Sequence, residues 1–221
     1  MFFMRVALFM LVLFVSQAAS AACSDELTLV SVRSVIEPTE YVRNISVQDL
    51  TDIHGNLAQK EQRVLGLGGG RIGIEAKLQF GVTTRRGKAC VSLQKIKAVF
   101  SAYPEMHIAS NFRRGGCEYS AVFAHEQKHI RTLKKFHREY YPELRKELKK
   151  LARQIKVMGP MAPEEVGKVQ KRVSARVSSL ISSFTDEVTQ VHEERQNKID
   201  TQEEYERVAD QCRKWERDLN E

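Results

Sequence analysis

Two long stripes of apolar residues flank the turn sequence Met158-Gly159-Pro160-Met161-Ala162-Pro163, and they constrain this chain more than any other feature. The first runs Val122, His129/Ile130, Leu133, Phe136, Tyr140, Leu144, Leu148, Leu151 and Ile155. The second runs Val166, Val169, Val173, Val177, Leu180/Ile181, Phe184, Val188 and Val191. Spacings of three and four put each set on one face of an α-helix, and such a face needs burial. A short turn makes two such helices antiparallel neighbours. The pattern therefore predicts a helical hairpin, out over 118–158 and back over 164–199. Pro142 predicts a kink or a fresh helix start within the first stripe. Asp200-Thr201 followed by Glu203-Glu204 reads as a break and a new N-cap. A last helix then carries Tyr205, Val208, Cys212 and Trp215.

Upstream, residues 25–113 have the chemistry of strands. Leu27 to Val32 has strand composition, and Arg71 to Phe80 and Ala89 to Ile96 alternate at period two. Thr83-Thr84-Arg85-Arg86-Gly87 between the last two reads as their hairpin turn, and Lys97–Tyr103 and Met106–Ala109 read as further extended runs. The fold class that follows is α+β: a small antiparallel sheet, then a long helical hairpin. Residues 23–113 form the β-rich part and 114–221 the helical part of one domain, 23–221.

The first 22 residues read as a cleaved signal peptide. Arg5 is the charged start, Val6 to Val15 the apolar run, and Gln17 to Ala22 the small-residue cleavage site. The chain has 35 Lys and Arg against 28 Asp and Glu, and removing Arg5 leaves 34 − 28 = +6. The expected location is secreted or periplasmic. The four cysteines, Cys23, Cys90, Cys117 and Cys212, fit two disulfides in an oxidising compartment. A lipid anchor on Cys23 is the alternative; it would strand one partner, and Ser20 stands where a lipobox prefers Leu. After Ala22 no apolar stretch is long enough to span a bilayer.

Several signals are discounted. Gly68-Gly69-Gly70-Arg71-Ile72-Gly73 matches G-x-G-x-x-G, but a strand follows it where a dinucleotide site needs a helix N-terminus. Those glycines read as a flexible loop into an edge strand. Lys134-Lys135, Arg145-Lys146 and Lys149-Lys150 alternate with Glu143 and Glu147 and lack interleaved aromatics, so nucleic acid is not an expected partner. A loose affinity for anionic envelope polymers is compatible with the charge.

The sequence His125-Glu126-Gln127-Lys128-His129 is H-E-x-x-H, inside a run free of Gly and Pro from Cys117 to Tyr141. One helical turn puts His125 and His129 on one face, where both rings reach one Zn²⁺ at about 2.0–2.1 Å. Glu126 lies about 100° round the helix, placed to take a proton from a metal-bound water as general base. By chance the pattern arises in roughly 1% of chains of this composition.

A catalytic zinc takes three protein ligands and keeps an open position. His137 is excluded, because eight residues of helix lift it about 12 Å above His129 and turn it away. If the turn centres near residue 160, position 129 faces about 192 and position 125 faces about 196. His192 is then the leading third ligand, with Glu187, Glu194 and Asp200 as alternatives. The same hairpin brings Cys117 towards Cys212, which leaves Cys23 for Cys90.

The stretch Cys117 to His129, after a strand containing Cys90, resembles the predicted secreted zinc-dependent proteases of bacteria. Further on, His192, Gln196 and Asp200-Thr201 echo that group's C-terminal segment, where a Tyr-Asp is followed by Thr and a His-Gly pair. Here Gln202-Glu203-Glu204-Tyr205 stands in place of the His-Gly. The resemblance implies a zincin-like peptidase, with one zinc and a peptide or protein substrate. The strand before the helix, within Lys97–Ala109, is expected to hold substrate backbone by strand addition. Two rival classes are a non-catalytic zinc-stabilised envelope binding protein and a metal-free structural hairpin.

Overall fold

A computed structural model describes residues 23–24, 27–54, 63–213 and 215. The expected signal segment, 1–22, lies outside them. The chain forms β1 (Leu29–Ile36), β2 (Glu40–Val42), α1 (Val47–His54), β3 (Gly66–Arg85), β4 (Lys88–Ile108), α2 (Cys117–Gln154), β5 (Met158–Met161), a 3-10 turn (Pro163–Glu165), α3 (Val166–Asn197) and α4 (Gln202–Ala209). The fold is α+β. Among the described residues no helix is long and apolar enough to cross a membrane.

The sheet is mixed, which corrects the expected antiparallel one. β4 is its spine. β3 runs antiparallel along the whole of β4, joined through Arg86 and Gly87, both at positive φ as a tight hairpin turn requires. The other edge of β4 is shared end to end. β5 pairs with Ala89–Val91, β1 lies parallel over Lys95–Ala102, and β2 lies parallel over Glu105–His107. The runs at 97–103 and 106–109 thus belong to one continuous strand. Both edges of β4 are occupied, so it cannot receive a substrate strand; among the described residues β3 pairs only with β4 and leaves its outer edge open.

A bulge keeps this long hairpin in phase. Gln79 pairs with Lys95 and Phe80 with Leu93, so Gln94 is the extra residue. Before it the buried positions are Ala89, Val91 and Leu93; after it they are Ile96, Ala98, Phe100 and Ala102. The inserted residue switches the parity, and the apolar face stays turned to the helices.

That face packs on α2 and α3. Leu93, Ile96, Ala98 and Phe100 meet Phe136, Leu144, Leu148 and Leu151 of α2 and Val173, Val177, Phe184 and Val188 of α3. Each large side chain buried here contributes about 1.5–3 kcal/mol by transfer from water. α2 runs unbroken through Pro142. Pro142 and Arg138 both lie on the exposed side, so water can satisfy the Arg138 carbonyl that loses its helical partner. The segment read as a plain turn, 158–161, is strand β5. Disulfides join Cys23 to Cys90 and Cys117 to Cys212, as the hairpin register implied. Cys23 takes part in a disulfide here, the pairing expected of two bridges rather than of a lipid anchor on its sulfur.

Candidate metal centre

His125, Glu126 and His129 occupy the third and fourth turns of α2, and each is buried. They continue the stripe that carries Leu133 and Phe136, so the helix turns them towards the interior. α3 ends at Asn197, and the chain turns through Lys198–Asp200 before Thr201 caps α4, its hydroxyl accepting from the Glu204 amide at 3.2 Å. This turn swings the Asp200 carboxylate over the two imidazoles. Asp200 Oδ1 lies 3.1 Å from His125 Nε2 and 3.0 Å from His129 Nε2, and the two Nε2 atoms are 3.3 Å apart. Ligands about 2.0–2.1 Å from a tetrahedral zinc stand about 3.3 Å from one another. Two imidazoles and a carboxylate in such a triangle fit that metal in chemistry and in spacing.

The remaining ring nitrogens are tied down. His125 Nδ1 donates to Glu204 Oε1 at 3.1 Å, and His129 Nδ1 donates to Gln196 Oε1 at 2.7 Å. With both Nδ1 protons so engaged, both Nε2 lone pairs face the triangle, as metal-bound histidines require. Glu204 is itself held by Lys128 Nζ at 2.6 Å and by Arg207 at 2.6 and 2.9 Å. Gln196 donates to the His129 carbonyl at 3.3 Å and to His192 Nε2 at 3.2 Å.

The charges follow from these contacts. Burial is the largest influence and lowers the pKa of His125 and His129, but Asp200, the Glu126 charge and the bonds to Glu204 and Gln196 together outweigh it and hold both rings above the ordinary histidine value. Burial opposes ionisation of Asp200, yet the two imidazoles keep its carboxyl well below the usual range. For Glu204 the Arg207 guanidinium is the main cause of a similar depression. Glu126 is the contrast: burial pushes it up to about 7, against the pull of the neighbouring rings. Tyr205, whose ring centre is 6.0 Å from that of His125, is pushed up to about 12 by burial and by the Asp200 and Glu126 carboxylates.

Glu126 is pressed against the first residues of β3. A Cβ on Gly68 would stand 2.5 Å from the Glu126 carbonyl oxygen, and one on Gly66 would stand 2.6 Å from Val122 Cγ1 and 2.8 Å from Glu126 Oε1. Only glycine lets the strand approach so closely, and the Gly68 backbone then bonds to the Glu126 carboxylate. The glycines discounted as a flexible loop are strand residues shaped by this contact.

The structure thus brings together His125, His129 and Asp200, one of the alternatives, and leaves His192 one layer behind. His192 is buried against Phe136, 5.2 Å between ring centres, and reaches the cluster only through Gln196. The cause is register. Gln196, not His192, stands opposite His129, a shift of one helical turn, because β5 and the 3-10 turn lengthen the connection. Glu187 and Glu194 point to solvent, and Glu194 accepts from Gln190. His137, excluded as a ligand, is a core residue. It is fully buried, bonded to the Phe100 carbonyl at 2.8 Å and stacked on the Phe100 ring. Sequence reasoning set position 196 opposite His125 and saw Gln196 in the resembled C-terminal segment, but gave Glu204, Gln196, Tyr205 and Gly66 no stated role at the metal. The available signal is Asp200-Thr201, which reads both as an alternative ligand and as a helix cap, with Glu204 three residues beyond the cap. Comparison with family models, curated proteins and solved structures finds no match for the chain.

Proposed function

We propose that this chain is a zinc-dependent peptidase of an oxidising compartment, secreted or periplasmic. The observation that carries the reading is the triangle of His125, His129 and Asp200 with Glu126 buried beside it. Zinc held by these three residues would supply a bound water of lowered pKa and a Lewis acid for the scissile carbonyl. Glu126 acts as general base. Its affinity for protons near neutrality suits it both to take a proton from water and to hand it to the leaving amine. Glu204 and Gln196 fix the tautomers and aim of the two histidines. Among the described residues β3 pairs with no strand but β4, and its outer edge is where an extended peptide would add by strand pairing. The two disulfides support the compartment.

Elemental analysis and a peptide-library digest test this. The purified protein should carry about one zinc per chain. His125→Ala and His129→Ala should lose it. Glu126→Gln should keep the metal and the fold but lose most hydrolysis, because an amide cannot accept the proton. Zinc retained by both histidine variants removes the metal site. Zinc present with equal digestion by wild type and Glu126→Gln removes the peptidase and leaves a zinc-stabilised binding protein.

A further inference from the structure

At the end of the hairpin far from His125, the charge is one-sided. The β3–β4 turn, the last turns of α2, β5 and the first turns of α3 meet there, because β5 pairs with Ala89–Val91 directly behind the turn. Residues 83–90, 143–156 and 158–176 together carry thirteen Lys and Arg against four Glu, which leaves +9. Arg85, Arg86, Lys88, Lys149, Arg153 and Lys168 are exposed and make no ion pair among the described residues. Cations that fold the molecule would be paired or partly covered; these are neither.

A further observation identifies what such a surface meets. The sheet half nearest this end exposes apolar side chains, with Leu27 93%, Leu29 62% and Val82 47% exposed. Unpaired cations beside exposed aliphatic side chains suit a bilayer face, where headgroup phosphates take the charge and the acyl boundary takes the leucines. A soluble polyanion would use only the first.

We infer that the basic end, centred on Arg85, Lys88, Lys149 and Lys168, docks on an anionic phospholipid surface. His129 lies some 20 residues from Lys149 along α2, so docking holds the cluster about 30 Å from the membrane. The inference does not depend on zinc or on hydrolysis.

Co-sedimentation with vesicles of phosphatidylglycerol in phosphatidylcholine, and with phosphatidylcholine alone, tests it. The protein should partition onto the anionic vesicles, less as salt rises, and leave the neutral ones. The triple variant Arg85→Gln, Lys88→Gln, Lys168→Gln should partition about a hundredfold less. Leu27→Ser should cost about tenfold. A second triple, Arg113→Gln, Arg114→Gln, Arg131→Gln, changes net charge equally at exposed sites outside the basic end and should bind like wild type. Equal loss in both triples, equal binding to neutral vesicles, or binding to heparin without binding to vesicles would each overturn the inference. Circular dichroism of the variants separates lost docking from lost fold.

Discussion

The two ends of the α2–α3 hairpin are built by the same helices and solve different problems. At the far end the facing stripes carry Leu144, Leu148, Leu151, Val173 and Val177, and the space between them is filled with hydrocarbon. At the near end the same stripe of α2 carries His125 and His129, and that of α3 carries His192, so the core continues as a polar network. The surfaces differ as well. Residues 186–210 carry nine Asp and Glu against three Lys and Arg, whereas the far end carries a surplus of cations. Periodicity decides which face is buried; chemistry at a few buried positions decides whether the buried space is a core or a site. Apolar packing is non-directional and tolerates small shifts. The near end depends on atoms about 3 Å apart and so needs tethers: the Cys117–Cys212 bridge, the Thr201 cap and the Glu204 ion pairs.

The sharpest way to break this comparison is to remove Asp200. Asp200→Ala leaves two histidines facing each other without the third donor, and two ligands do not sustain a tight tetrahedral site. The variant should lose its zinc, as His129→Ala does, while His192→Ala retains it. Inductively coupled plasma analysis after dialysis reads this directly. Metal kept by Asp200→Ala and lost by His192→Ala would restore the simple hairpin register and refute the observed triangle.

The two disulfides offer a matched pair. They close loops of 95 and 67 residues, which the chain-entropy model makes almost equal, about 4–5 kcal/mol each. Serine replacement of either pair should therefore lower the denaturant midpoint by a similar amount. Zinc affinity should separate them. Cys117–Cys212 links the start of α2 to the segment just after α4, and cutting it frees the elements that hold Asp200 and Glu204. Cutting Cys23–Cys90 loosens only the far end. Equal losses of zinc affinity in the two variants would show that the near end needs no tether of its own.

An apolar residue of the far end gives the next largest effect. Leu148→Ala removes a fully buried side chain from the core and should cost about 2–5 kcal/mol, read by urea unfolding. Its zinc stoichiometry should match wild type, since Leu148 touches nothing in the cluster.

Legibility in the sequence follows the same division. Period-3.6 stripes are long in α2 and α3, so the hairpin and its buried faces could be read directly. The H-E-x-x-H spacing fixes two ring positions within one turn of one helix, which is local geometry. The Arg86-Gly87 turn and the Thr201 cap are local too, and both stand where the residues place them. What escaped was non-local. Strand composition at Leu27–Val32 says that the segment pairs, not that its neighbour runs parallel, because the partner of Leu29 is 66 residues away. The Met158–Met161 segment has Gly and Pro composition and is a strand only because β4 offers an edge there. Gln94 carries no mark of a bulge in its own chemistry. The third acidic or imidazole group at the site depended on counting through β5 and the 3-10 turn, where an error of four residues exchanges His192 for Gln196. Gly66 and Gly68 look like loop glycines until Glu126 is seen pressed against them.

The smallest effect sharpens the distinction between holding the metal and aiming its ligands. Gln196 accepts the His129 Nδ1 proton, and Glu204 accepts that of His125. Gln196→Ala and Glu204→Gln leave all three donors in place but release one ring each, and such partners are worth about 10–100-fold in metal affinity. Glu204→Gln also removes the charge that Lys128 and Arg207 share, so it should exceed Gln196→Ala within that range. His192 bonds to Gln196 and to the Gly70 backbone but to none of the three donors, and should matter less than either. Competition titrations with a chromophoric chelator would order the three variants. A loss for His192→Ala larger than that for Gln196→Ala would mean that His192 reaches the metal in solution, and the one-turn register shift between α2 and α3 would then be wrong.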